Sequence, residues 1–233
     1  MNNVKSYFAT WWTIMARPIY FYTKLKEESW KEKSLTFLLY TAWLIALALT
    51  LAIFIIQYIP IGSTLVAGIT GLKMLIVSPV LVTLAFMFFL ITFLIMAGVM
   101  TAALGILFGL VGWLTHYVYI VLGGKGSLNR MVQSVLYSCA AMTAMILPAA
   151  FAVLTRYNAL DFSLFRVGYN FIYFLTSLYL YGLWAVAGRK NYDVNKTRAF
   201  IGALAPVIIL LIFGFIFDKL ALSKLQSWIA PLK

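Results

Sequence analysis

Residues 74–124 read MLIVSPVLVTLAFMFFLITFLIMAGVMTAALGILFGLVGWLTHYVYIVLGG, 51 consecutive positions between Lys73 and Lys125 without an Asp, Glu, Lys or Arg. Hydrocarbon is the solvent that suits such a run. About 20 apolar residues suffice to cross a bilayer core as a helix. Four further uncharged runs are of spanning length: 39 residues after Lys33, 25 after Arg130, 22 after Arg166 and 19 after Arg198. The fold class that follows is all-α, a polytopic membrane helical bundle.

Composition agrees, since 64% hydrophobic and 10% charged residues lie far from the roughly half apolar, quarter charged usage of soluble domains. Outside the uncharged runs the sizeable segments are 1–33 and 218–233. Neither reaches the ~40 residues below which a core rarely forms alone, so a soluble catalytic domain is excluded. The division expected is a cytosolic or interfacial N-terminal segment 1–33, a transmembrane domain 34–217 and an amphipathic C-terminal tail 218–233. The net charge of +12 comes from Lys and Arg at the ends of apolar runs. That pattern marks topology signals and membrane-lipid contacts rather than nucleic-acid binding. The first apolar run starts only after Lys33 and far exceeds a signal core of 7–15 residues, so the N-terminal segment is expected to be retained.

In residues 4–15, Val4, Tyr7, Phe8, Trp11, Trp12 and Met15 share one helical face, which predicts either an interfacial amphipathic helix or a helix packed on the protein's own bundle. Arg17-Pro18 ends it or opens a new helix. The charged stretch KLKEESWKEK (24–33) reads as solvated and helical. The first span is expected at 35–58, ending at the turn signal of Pro60 and Gly62, with 61–73 as a loop or shallow interfacial segment.

The stretch 74–122 admits two resolutions. As one helix it would be ~73 Å long against a ~30 Å core: either Pro79 ends a short piece and a long helix runs over 80–122, or the chain turns near Gly98 and crosses twice. With five spans and the N-terminus inside, the inner segments hold 12 of the 18 basic residues; with six they hold 11. The count favours five spans, a long second one, and the GRKNYDVNKTR loop (188–198) on the same side as Lys24, Lys26, Lys31 and Lys33. The remaining spans are expected at 131–154, 167–187 and 199–217, followed by an amphipathic tail stopping before Pro231.

Groups able to carry chemistry are few. His116 is the sole intramembrane ionisable candidate, about six residues before the GGKG turn where its helix leaves the bilayer, and is expected to be structural, because a lone histidine lacks both a second metal ligand and a carboxylate to orient it as a base. GGKGS (123–127) lacks the Walker spacing and reads as a tight turn. No catalytic, metal or cofactor site is expected, and the chain is expected not to be an enzyme. Ala97, Thr101, Gly105 and Gly109 recur every four residues, a small-residue stripe that lets helix backbones approach closely in lipid, either within the chain or between two copies. Tyr58, Trp113, Tyr117, Tyr119, Trp184 and Trp228 read as interfacial aromatics.

Taken in order, ARPIYFYTKLKEESW (16–30), the long span ending THYVYIVLGGKGSLNRMVQSVLYS (115–138), two further spans and the GRKNYDVNKTR loop resemble the Ypt-interacting protein family, the Yip-domain membrane proteins. The distinctive part is H-x(6)-GGKGS-x(9)-YS: His116, Gly123, Gly124, Lys125, Gly126, Ser127, Tyr137 and Ser138. The resemblance spans roughly 16–217. It implies five spans, a cytosolic N-terminus and a non-enzymatic, scaffolding or trafficking-related role exercised through other membrane proteins or a second copy. Eukaryotic relatives bind Rab-type GTPases through a long N-terminal region. Here the lead is about 33 residues, as in prokaryotic members, so Rab binding does not carry over. The alternative function is a small transporter or lipid-handling permease, whose path would be lined by His116, Gln133 and Asn170.

Overall fold

The computed structural model describes residues 2–230, helical nearly throughout and without a strand among them. Pro231 and the end of the expected tail lie outside these residues. The helices are α1 (Asn2–Ala16), α2 (Pro18–Lys24), α3 (Lys33–Val66), α4 (Leu72–Val121), α5 (Leu128–Arg156), α6 (Phe162–Tyr192) and α7 (Lys196–Ile229). α3 to α7 are each long and apolar enough to cross a bilayer. The chain is a multi-pass, five-span membrane protein.

The five spans run alternately up and down. At one end, called the near end, the 25–32 segment meets the α4–α5 and α6–α7 turns: Lys125 N donates to Tyr192 O at 3.2 Å, Asn191 Nδ2 to Ser127 O at 2.8 Å and Asn129 Nδ2 to Glu28 O at 2.8 Å. The 188–198 loop thus shares an end with Lys24–Lys33. Toward the far end the Ile55–Gln57 stretch of α3 meets the α5–α6 turn and the C-terminal part of α7, through Tyr157 Oη to Ile55 O (3.2 Å) and Gln57 Nε2 to Trp228 O (3.1 Å).

The long second span is one helix of 50 residues, or ~75 Å at 1.5 Å per residue. Neither a turn at Gly98 nor a break at Pro79 occurs. Pro79 removes one backbone donor, to Leu75 O, and the helix continues through it; proline is tolerated within membrane helices. Residues 72–87 run ~24 Å past the level where Tyr58 stacks on Phe88. Leu72, Leu75, Ile76, Val82 and Phe86 there are each more than 60% exposed, so apolar side chains face outward all round, as in a helix surrounded by lipid.

Two expected boundaries move. The first span does not end at Tyr58; it passes through a π-helical turn at Phe54–Tyr58 and continues to Val66. The π register is a common way for a helix to absorb a proline, here Pro60. The 218–233 tail is likewise no separate element up to Ile229, because α7 runs on through a second π turn, Asp218–Leu222. Counting uncharged residues stops at a charge; the helical hydrogen bonds do not.

The 24–33 stretch is not one helix. α2 ends at Lys24, Leu25 is extended, and helix resumes at Lys33. The reason lies in α5: Asn129 and Gln133, one turn apart, bond the non-helical backbone that follows Leu25. Glu28 N donates to Gln133 Oε1 (3.4 Å), Gln133 Nε2 to Lys26 O (3.2 Å) and Trp30 N to Asn129 Oδ1 (3.5 Å). These amides satisfy backbone groups a helix would otherwise have paired.

α1 packs on the bundle with one side and leaves its other side exposed. Tyr7 and Ile14 are buried, Tyr7 Oη bonds Thr41 Oγ1 at 3.0 Å, and Trp11 Nε1 donates to Ala140 O and Thr143 Oγ1 at 3.2 Å. Val4, Phe8 and Trp12 remain 52–64% exposed. Arg17 separates α1 from α2, with Pro18 at the first helical position, where its missing donor costs nothing.

Candidate functional site

Two places concentrate unusual structure. The first is a near-end clasp built on the α4–α5 turn. Gly123 closes α4 at φ +83°, the left-handed conformation glycine adopts without strain, and Gly123 N and Gly124 N return to Ile120 O and Tyr119 O at 2.9 Å. Ser127 caps α5 by accepting from Arg130 N (3.4 Å) and donates to Glu27. Lys125 is exposed.

Gly124 and Gly126 are glycines because Tyr192 lies against them: a Cβ would stand 2.7 Å from Tyr192 Cβ at the first and 2.5 Å from Tyr192 Cδ1 at the second. Tyr192 in turn bonds His116 Nδ1 through its hydroxyl (2.5 Å) and stacks on Tyr119 with centroids 5.0 Å apart. His116 therefore has a neutral partner from α6, absent from its own span. Tyr119 Oη donates to Ala199 O at 2.6 Å, and its fully buried ring occupies the space left by Gly188 and Gly202, where added Cβ atoms would come within 2.1 and 2.3 Å.

Tyr137 and Ser138 extend the clasp inward. Tyr137 packs on Phe21 and Phe37 at 5.2 and 5.3 Å, and Ser138 Oγ accepts from Trp184 Nε1 at 2.8 Å. Tyr22 Oη donates to Ser134 O at 3.3 Å; burial pushes this phenol's pKa up, so it stays neutral. Tyr119 and Trp184, expected at the lipid interface, are instead buried to 0% exposure, whereas Trp113, Tyr117 and Trp228 are 49–63% exposed.

The small-residue stripe does not form an intrachain seam along its length. Ala97 is buried and Thr101 half-buried, but a Cβ at Gly105 or Gly109 would meet nothing within 4 Å. The buried face of α4 runs one position aside, through Leu104, Phe108, Val111 and Gly112, with Gly112 against Val132 Cα at 3.0 Å. Equal four-residue steps drift around a 3.6-residue helix, so the stripe leaves the packed face as it ascends.

The second place is a chamber of about 450 Å³ in the far half of the bundle. Its walls are Ile45, Leu49 and Ala52 of α3, Met96, Met100 and Leu104 of α4, and Met142, Met145, Ala149 and Ala152 of α5. Phe165, Tyr169 and Tyr173 of α6 close one side, and Phe217, Leu222, Trp228 and Ile229 of α7 close another. Every irregular helical segment contributes: Ile56 and Gln57 from the first π turn, Met142 and Met145 from the 3₁₀ segment Cys139–Met145, and Leu222 from the second π turn.

Beside it stands a charge cluster that sequence reasoning missed. Asp218, 8% exposed, accepts Arg166 Nε at 2.6 Å and Arg166 Nη2 at 2.5 Å, and Asn170 Nδ2 at 2.9 Å. The signal was available, since Arg166 opens the fourth span and Asp218 follows the fifth, and antiparallel neighbours bring those ends together. Gln133, His116 and Asn170 thus serve three separate networks and line no common path. Among the described residues no group of three His, Cys, Asp or Glu could hold a metal ion.

No family model, curated protein or solved structure matches this chain. The likeness to Yip-domain proteins rests on the quoted residues alone.

Proposed function

We propose that this polytopic helical membrane protein is a non-enzymatic, Yip-type organiser of the bilayer, acting on lipids and on neighbouring membrane proteins or a second copy of itself. One observation carries the reading. α1 is anchored to the bundle through Tyr7, Trp11 and Ile14 while Val4, Phe8 and Trp12 point away from it. A docked helix with a free aromatic edge is suited to wedge among the surrounding lipids, and its anchoring transmits that strain to the spans. The test is vesicle shape after reconstitution: Phe8→Glu with Trp12→Glu should abolish remodelling while leaving fold and Tm unchanged, because neither ring is buried. Unaltered remodelling by that variant would refute the reading.

Lipid handling is the second reading, favoured by the apolar chamber, which offers hydrocarbon rather than water a place among the helices.

A further inference from the structure

We propose that the far-half chamber binds one acyl chain of a bilayer phospholipid as a resident ligand. The proposal deepens the lipid-handling reading and is separable from it, because a chain can be held without being transferred.

Four observations converge. The lining is apolar apart from Gln57 and two tyrosine hydroxyls; Gln57 Nε2 already bonds Trp228 O and Tyr173 Oη already bonds Leu210 O. The free polar groups left, Gln57 Oε1 and Tyr169 Oη, could hold about one water, so water does not fill the space. The volume is about 450 Å³, three times the ~150 Å³ apolar cavity that stays dry and takes up a six-carbon ring, so at the same occupancy it holds on the order of 18 carbons. Met96, Met100, Met142 and Met145 supply flexible, polarizable walls that fit an irregular chain. Both π turns and the 3₁₀ segment border the space, and π turns inside helices occur frequently at functional sites. The five spans lie in phospholipid, which supplies acyl chains at a concentration no solute matches.

The test uses the full chain reconstituted in phosphatidylcholine vesicles containing a phosphatidylcholine with a diazirine in its acyl chain. After irradiation, label is mapped by mass spectrometry. Expected is label on Met142, Met145 or Ala149, inside the bundle, in addition to the exposed Leu75 and Ile76. Ala149→Phe, which fills the space, should cut the interior label at least fivefold and leave the Leu75 and Ile76 label unchanged. Label confined to Leu75 and Ile76 in the parent protein overturns the proposal whether or not the variant folds. Interior label from a free diazirine fatty acid alone overturns the phospholipid assignment. Vesicle-to-vesicle transfer measured alongside separates the two claims: interior label without transfer sinks lipid handling and leaves the bound chain standing.

Discussion

Tyr119 of α4 and Tyr192 of α6 stack with ring centroids 5.0 Å apart and an interplanar angle of 22°, and this pair ties the long second span to the near-end clasp. Tyr119 fills the notch between Gly188 and Gly202; Tyr192 fills the one above Gly124 and Gly126. Glycine here is a packing requirement of two rings.

That geometry sets a contrast between two groups of glycines. Gly188→Ala and Gly202→Ala place a methyl within 2.3 Å of the Tyr119 ring and should each lose about 1–3 kcal/mol by overpacking. Tyr119→Leu should rescue part of that loss. Gly105→Ala and Gly109→Ala meet open space and should be neutral or stabilising by about 0.5–1 kcal/mol from helix propensity. Thermal melts in detergent read all five variants; equal losses at the four glycines would contradict the packing described.

His116 should behave as a hydrogen-bond partner of Tyr192. His116→Gln retains a group able to donate and accept and should leave melting nearly unchanged. His116→Leu orphans the Tyr192 hydroxyl, at about 1–3 kcal/mol. Tyr192→Phe with His116→Leu removes both partners and should recover part of the loss. A stable Gln variant that has lost vesicle remodelling would instead give His116 a functional role.

Asn129 and Gln133 should control access to the 25–32 segment. Asn129→Ala with Gln133→Ala removes the amides that bond Lys26, Glu28 and Trp30, so trypsin should cleave after Lys24, Lys26 or Lys31 at least tenfold faster. Unchanged cleavage would mean that the segment is held by something other than these amides.

The Arg166–Asp218 pair should act as a unit. Asp218→Asn leaves the guanidinium without its counter-charge and should lower Tm more than Arg166→Met with Asp218→Leu, which removes both charges together. The reverse order would show that the pair stabilises through attraction beyond its mutual need.

The architecture was legible because long uncharged runs have few alternatives: the spans follow from where Lys and Arg stand, and a margin of one basic residue favoured five of them, with a long second helix and a shared near end for Lys24–Lys33 and 188–198. What stayed hidden is pairwise. Leu25–Glu32 is rich in helix-forming residues, and Asn129 and Gln133, roughly a hundred positions away, bond Lys26–Trp30 outside any helix. Tyr119 and Trp184 look like belt aromatics by position, yet Gly202 and Ser138 on other helices draw them inside. The stripe from Ala97 to Gly109 was correctly small but wrongly phased, because the buried face is set by which helices arrive. The chamber has no sequence signature, being an absence shared by five helices.

Impermeant maleimide labelling of single cysteines in a Cys139→Ala background, in sealed vesicles of uniform orientation, tests the five-span account most directly. Ser29→Cys, Lys125→Cys and Asn195→Cys should label from one side, and Gly68→Cys and Asn158→Cys from the other. Labelling of Asn195→Cys from the side opposite Ser29→Cys would contradict it.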